Sequence, residues 1–119
     1  MRVPEKYYDE IFDFKGQWDM PSRCGLKIAG RGDKVYVIAT ELYQDNPGTT
    51  VAAAGKSLAL RICEAKNLRL EEIVYLQCNP NTNSKLSFYD EEYFEATFPD
   101  EAAPVFRRLS EEEVKGLNI

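Results

Sequence analysis

The stretch from Lys34 to Leu68 constrains the fold of this chain more than any other part of its sequence. An apolar run over Lys34–Leu42 enters the polar loop YQDNPGTT, and an amphipathic helix follows from about Thr50 to Asn67. Hydrophobic residues fall on both faces of the run, which predicts a central strand that is covered on both sides. The helix must then bury its apolar stripe against the sheet that contains this strand.

Hydrophobic periodicity locates the buried faces of the strand and the helix. In the strand, Val35, Val37 and Ala39 point one way, and Tyr36, Ile38 and Leu42 point the other. On the helix, the apolar stripe comprises Val51, Ala54, Gly55, Leu58, Ile62 and Ala65. Gly55 costs this helix about 1 kcal/mol relative to Ala, and we interpret it as a point of close approach to the sheet.

Weaker patterns locate the remaining elements. Strands are predicted over 25–29 and 73–78, with one long or two short strands over 86–98. Two glycines in the turn at 30–33 predict a hairpin with the strand that follows. Ser110 and Glu113 form a capping-box pattern, and Leu109 and Val114 are spaced as a hydrophobic staple, so a short helix begins there.

These elements predict an α+β fold with a single small sheet, mixed or antiparallel. The order is β-β-α-β-β, with an optional further strand before the C-terminal helix, and one long amphipathic helix lies on a face of the sheet. If the strands on either side of the long helix are neighbours, they are parallel and joined by a right-handed crossover. Residues 1–119 form one domain, with an aromatic-rich arm over 1–21, a body over 22–109 and the short helix over 110–119.

The chain contains no histidine, which excludes whole classes of active site. Ser-His-Asp and Cys-His catalysis need an imidazole, as does any zinc site with a histidine ligand. Cys24, Cys63 and Cys78 are widely spaced without a C-x-x-C pair, so we expect no metal site and no cofactor. An odd number of cysteines and a start without a secretion signal predict reduced thiols in the cytoplasm.

The charge balance excludes other classes of partner. Twenty acidic and fifteen basic residues give a net charge of −5, which argues against broad nucleic-acid binding and against attraction to a membrane surface. The charged residues over 23–34 are all basic apart from Asp33, whereas residues 90–101 carry six acidic side chains and no basic one. These segments are either two solvated sheet edges or surfaces that pair with a protein partner or with each other in self-association.

The loop between strand and helix holds the candidate binding residues. They are Glu41, Asp45, Asn46, Gly48, Thr49 and Thr50. In a functional interpretation the amides at the helix start bind phosphate or carboxylate, or the acidic side chains bind a divalent ion. In a structural interpretation the loop is a turn whose threonines cap the helix, and we favour this one.

A phosphate-loop interpretation of Gly55-Lys56-Ser57 is disfavoured, because Thr50 stands where the first glycine of the motif belongs.

Several of these motifs resemble an uncharacterised family of small bacterial proteins. The resemblance lies in Thr40-Glu-Leu42, in Asp45-Asn-Pro-Gly-Thr-Thr50, in Pro21-Ser-Arg-Cys24 and in Ile73-Val-Tyr75, and covers roughly residues 18–98. It implies a common fold unit and a marked loop, with no activity attached.

From these features we expect a non-enzymatic binding or protein-interaction domain of the bacterial cytoplasm. Its contact surface would involve the 41–50 loop and one charged edge. The alternative is a small-ligand protein or enzyme that holds an anion or a divalent ion at the same loop and helix start.

Overall fold

A computed structural model of the chain describes residues 8–16, 19–42, 49–79, 92–99 and 104–117. The elements are β1 (Glu10–Lys15), β2 (Pro21–Arg31), β3 (Lys34–Glu41), α1 (Thr49–Lys66), β4 (Ile73–Asn79), β5 (Glu92–Thr97), β6 (Val105–Arg108) and α2 (Glu111–Leu117), with a 3₁₀ turn at Leu70–Glu72. The six strands form one mixed sheet in chain order, which confirms an α+β fold with a single sheet. Neighbouring strands are antiparallel except for β3 and β4, which are parallel.

The predicted order of elements lacks a strand at the start of the chain, since the segment expected to be an arm contains β1, which pairs with β2. At the other end, the optional strand before the C-terminal helix is present as β6, but it lies at Val105–Arg108 rather than within residues 86–98. In β1, acidic residues interrupt the aromatic ones, and the four residues of β6 are all exposed, so neither shows a clear alternation. Part of the arm does pack inward, since Tyr8 is buried against Gly25, where an added Cβ would lie 2.7 Å from the tyrosine.

The helix α1 is interrupted rather than continuous, which corrects the prediction of one long helix. Gly55 has φ of 52° and ψ of −133°, a conformation that breaks the helix into a short first part and a longer second part. Only glycine adopts this region without strain. The role of Gly55 is therefore to turn the chain.

The sheet has an apolar core on each face. On the α1 face, buried residues of β2, β3 and β4 pack against Val51, Leu58, Ala59 and Ile62 of the helix. The core on the opposite face contains Ile38, Leu42 and Leu76 from the sheet side. They pack with Leu109, which precedes α2, and with Leu117, the last residue of α2. The two predicted faces of β3 and its central position are thus confirmed.

The predicted hairpin between β2 and β3 and the predicted start of α2 are confirmed. β2 and β3 are joined through Gly32, whose φ is 63°. At the start of α2, the Glu113 amide donates to Ser110 Oγ over 3.1 Å, and the Ser110 amide donates to Glu113 Oε1 over 3.0 Å, which is a capping box. Within the described ranges, no helix is long and apolar enough to span a bilayer.

Candidate functional site

The candidate site lies where β3 and β4 end, on the face covered by α1. In sheets with parallel strands, ligands are commonly held in the crevice beyond the carboxyl ends of those strands. Of the six candidate residues, Glu41 is the last residue of β3, while Thr49 and Thr50 open α1. Asp45, Asn46 and Gly48 lie outside the described residues, as do the side chains of both threonines. Only Glu41 can therefore be placed by its side-chain contacts.

Glu41 ties the end of β3 to the start of α1. Its side chain is only 2% exposed, and Oε2 accepts a hydrogen bond of 3.0 Å from the backbone N–H of Val51. Helix starts favour a negative charge because their first amides lack partners within the helix. The carboxylate of Glu41 thus occupies the position that an external anion would take at the Val51 amide.

Two cysteines near Glu41 and α1, Cys24 and Cys63, are unreactive thiols. All three cysteines of the chain are buried and outside any disulfide. Burial, then the nearby carboxylates of Glu41 and Asp13, raise the pKa of the Cys24 thiol to about 12. Burial also raises the pKa of Cys63. Because the thiolate is the nucleophile, Cys24 and Cys63 are poor nucleophiles at neutral pH.

Strand register brings further polar residues level with Glu41. Thr40 pairs with Cys78 in the parallel β3–β4 ladder, so the next residues, Glu41 and Asn79, lie side by side. Asn79 in turn pairs with Glu92 of β5. Because alternate residues of a strand share a face, these three point toward the α1 side. We call Glu41, Asn79 and Glu92 the polar row.

Gln77 supports the polar row from within β4. It is 4% exposed, and its Nε2 donates a hydrogen bond of 3.1 Å to Asn79 Oδ1. Sequence reasoning missed Gln77, Asn79 and Glu92. A signal was present, because an amide inside the apolar run Ile73–Cys78 needs a buried partner. The convergence with Glu41, in contrast, depends on strand order.

The two charged segments are not sheet edges. The hairpin β2–β3 and the strand β5 lie inside the sheet, so their interpretation as solvated edges is wrong. Part of their charge is matched within the chain: Arg23 Nε lies 2.8 Å from Asp13 Oδ1, and Lys34 Nζ donates to the carbonyl of Glu71. Arg107 pairs with Glu95 of the acidic segment. The strand β6 thus supplies the arginines, Arg107 and Arg108, that pair with acidic side chains of β5.

The strand β6 ends the sheet and exposes two hydrophobic side chains. Val105 is 53% exposed and Phe106 is 41% exposed. The Leu109 amide donates to the Tyr93 carbonyl over 2.8 Å. Because backbone hydrogen bonds alternate along antiparallel pairs, Val105 and Arg107 direct their backbone groups toward β5, and Phe106 and Arg108 direct theirs outward. No described strand pairs with that outer side.

Two open cavities lie away from the polar row. One of about 260 Å³ separates the sheet from α2 and is bordered by Arg31, Arg107 and Glu113. The other, of about 320 Å³, is bordered by Ile73, Tyr75 and Phe98. Among the described residues, no group of three or more Cys, Asp and Glu side chains is arranged to hold a metal ion.

The disfavoured phosphate-loop interpretation gains no support at Gly55. Residues on both sides of Gly55 are helical, and Gly55 redirects the helix rather than opening a loop.

Comparison of the chain with protein-family models, curated proteins and solved structures gives no match. The resemblance in the strand–loop–helix motif therefore stays a prediction.

Proposed function

We propose that this chain is a protein-interaction domain that pairs its edge strand β6 with an extended segment of a different protein. The observation that carries this proposal is the outer side of β6, where the outward backbone groups of Phe106 and Arg108 lie beside exposed apolar side chains. An edge strand that pairs with no other strand among the described residues on its outer side is a ready template for an added strand.

The charges on β6 indicate the chemistry of the added strand. Arg107 is engaged on the α2 face by Glu95 and Glu113, at 3.1 and 3.0 Å. Arg108 is less engaged, since its Nε lies 3.6 Å from Glu92 Oε2 and its side chain is 61% exposed. A strand that places an apolar residue opposite Phe106 and an acidic one opposite Arg108 would complement this edge.

A second copy of the chain fits the edge less well. The symmetric register that pairs Phe106 of each copy with Arg108 of the other sets the two Arg107 side chains opposite each other. Like charges at directly opposed positions destabilise a strand pair. The symmetric register that pairs the two Phe106 residues sets Arg108 opposite Pro104 rather than opposite an acidic residue. The complementarity therefore favours a different protein whose segment has apolar and acidic residues two positions apart.

The test compares three forms of the protein against short peptides that place Val and Glu two residues apart. Phe106→Pro removes an outward N–H that the β5–β6 ladder does not use, so the protein should fold but not bind. Phe106→Ala keeps that N–H and removes the ring, so binding should weaken without disappearing. Binding is followed by backbone amide NMR, in which the Phe106 and Arg108 amides should gain protection from exchange.

Matched controls distinguish strand addition from nonspecific hydrophobic binding. Peptides with Lys in place of Glu should bind more weakly, and Leu60→Lys, which removes an exposed hydrophobic side chain on α1, should bind like the unaltered protein. The proposal fails if Phe106→Pro binds the peptides as well as the unaltered protein does. It also fails if light scattering shows a dimer that Phe106→Pro converts to a monomer, since the edge would then serve self-association.

A further inference from the structure

The cavity between the sheet and α2 has an apolar interior. Its floor is formed by Tyr36 of β3 and by Val74 and Leu76 of β4, which share the α2 face of the sheet. Leu109 and Leu117 border it from the α2 side. The volume is about 260 Å³, and a cavity of about 150 Å³ already accommodates benzene. The space therefore fits an apolar group the size of one ring.

Two arginines border this cavity, and their partners differ. Arg107 is engaged, since its terminal nitrogens lie 3.1 Å from Glu95 and 3.0 Å from Glu113. Arg31 has five N–H donors, and its one hydrogen bond runs from Nη1 to the Gly116 carbonyl over 2.8 Å. No carboxylate of the described residues pairs with Arg31. The cavity therefore has guanidinium donors at its border that can bind a ligand.

Two contacts hold the Arg31 guanidinium in position. Its carbon lies 5.8 Å from the centre of the Tyr36 ring, within the range of a cation–π contact. The hydrogen bond to Gly116 connects the same group to α2. Because these contacts come from different elements, they restrict the orientation of the guanidinium, and less entropy is lost when its other donors bind a ligand.

We propose that this cavity binds a free monocarboxylic acid with an apolar body the size of one ring, whose carboxylate accepts hydrogen bonds from Arg31. The planar guanidinium fork matches the two oxygens of a carboxylate. A phosphate fits less well, because its higher charge would lie in the cavity that Glu95 and Glu113 border. A cation fits less well, because Arg31 repels it and both carboxylates are already bonded to Arg107. The site is separate from the outer side of β6 and goes beyond the proposed function.

The test titrates the protein with sodium phenylacetate and follows the backbone amide signals of Val74 and Gly116 by NMR. Phenylacetamide is one control, because it keeps the ring without the charge, and acetate is the other, because it keeps the charge without the ring. We expect phenylacetate to shift both signals in a saturable manner and to raise the melting temperature. Each control should bind about tenfold more weakly or worse. The proposal is overturned if phenylacetate gives no saturable shift or if phenylacetamide binds as tightly.

Two variants and a matched control assign binding to this cavity. Arg31→Gln removes the guanidinium, so the affinity for phenylacetate should fall about tenfold or more. Val74→Phe fills the cavity and leaves Arg31 in place, so it should weaken binding without lowering the melting temperature. Arg23→Gln removes the same charge from the same face at the other end of β2 and should leave the affinity unchanged. The proposal is overturned if Arg31→Gln or Val74→Phe binds like the unaltered protein, or if Arg23→Gln weakens binding as much as Arg31→Gln does.

A peptide distinguishes a free acid from the end of another protein chain. N-acetyl-alanyl-phenylalanine presents a ring and a carboxylate on a peptide, and it should bind more weakly than phenylacetate because the cavity volume matches a single ring-sized group. Tighter binding of the peptide would overturn the assignment to a free acid.

Discussion

Gly55 shows how one residue decides the path of an element. Its φ of 52° places it where side chains are rarely tolerated, and an added Cβ would lie 3.2 Å from Pro104 Cγ. At Gly116, in α2, such a Cβ would meet no atom of the described residues within 4 Å, and φ is not positive. The two glycines therefore have different reasons to be present, although both lie in helices.

Replacement of each glycine by alanine should change the free energy of unfolding in opposite directions. Gly55→Ala should lower the free energy of unfolding by about 1–3 kcal/mol, because the backbone conformation is strained for any side chain. Gly116→Ala should raise it by up to about 1 kcal/mol, because alanine favours the helix. Urea unfolding measures both, and equal effects at the two positions would contradict the assigned role of Gly55.

At the scale of the element, α2 is a seven-residue helix held by its first turn and its packing. Glu113 both caps the helix and pairs with Arg107 of β6, at 3.0 Å for each of two hydrogen bonds. These contacts hold the pKa of Glu113 at about 2, with the hydrogen bond from Arg107 as the largest cause. Arg31 adds a hydrogen bond of 2.8 Å from its guanidinium to the Gly116 carbonyl.

The Glu113 carboxylate should make stability depend on pH in a defined window. Its pKa is lower in the folded chain than the ordinary value of 4.5, so its contribution is present above pH 4.5 and is lost as the pH falls toward 2. Glu113→Gln should destabilise the protein at pH 7 and lose less stability between pH 4.5 and 2. Urea midpoints across this range measure the slopes.

Glu111→Gln is the control for that experiment, since this carboxylate is exposed and lies 3.5 Å from Lys115. The urea midpoints of Glu111→Gln should change with pH in the same way as those of the unaltered protein. A Glu113→Gln slope equal to that of the unaltered protein would rule out the Arg107 contact as a source of acid sensitivity.

At the scale of the whole molecule, stability should be highest at the parallel pair β3–β4. These strands are central in the sheet and have hydrophobic cores on both faces, whereas β1 and β6 are the outermost strands. Regions with many buried contacts open only with global unfolding, while edges open locally.

Hydrogen exchange should follow this gradient. We expect the amides of Val37, Ile38 and Leu76 to exchange slowest and the outward amides of Phe106 and Arg108 to exchange fastest among the strands. The measurement is amide exchange by NMR on dilute protein. Slow exchange at Phe106 in a monomer would show that the edge is already covered, which would also remove the basis for strand addition.

Of the polar row and Gln77, sequence analysis identified only Glu41 as a candidate site residue. Glu41 stood at the end of a predictable strand before a predictable helix, so its proximity to the helix start followed from the sequence. Gln77 and Glu92 join it through the β3–β4 and β4–β5 pairings. Such pairings join distant parts of the chain, and local patterns do not specify which strands become neighbours.

The sequence by itself determined the features that depend on nearest neighbours along the chain: the two faces of β3, the hairpin at Gly32 and the capping box of α2. These follow from side-chain spacing and backbone conformation within a few residues. Only the tertiary structure decided the places of β1 and β6 and the break in α1 at Gly55. An edge strand is stabilised by the strand beside it, and a kinked helix by the surface it packs on, so both depend on contacts far along the chain.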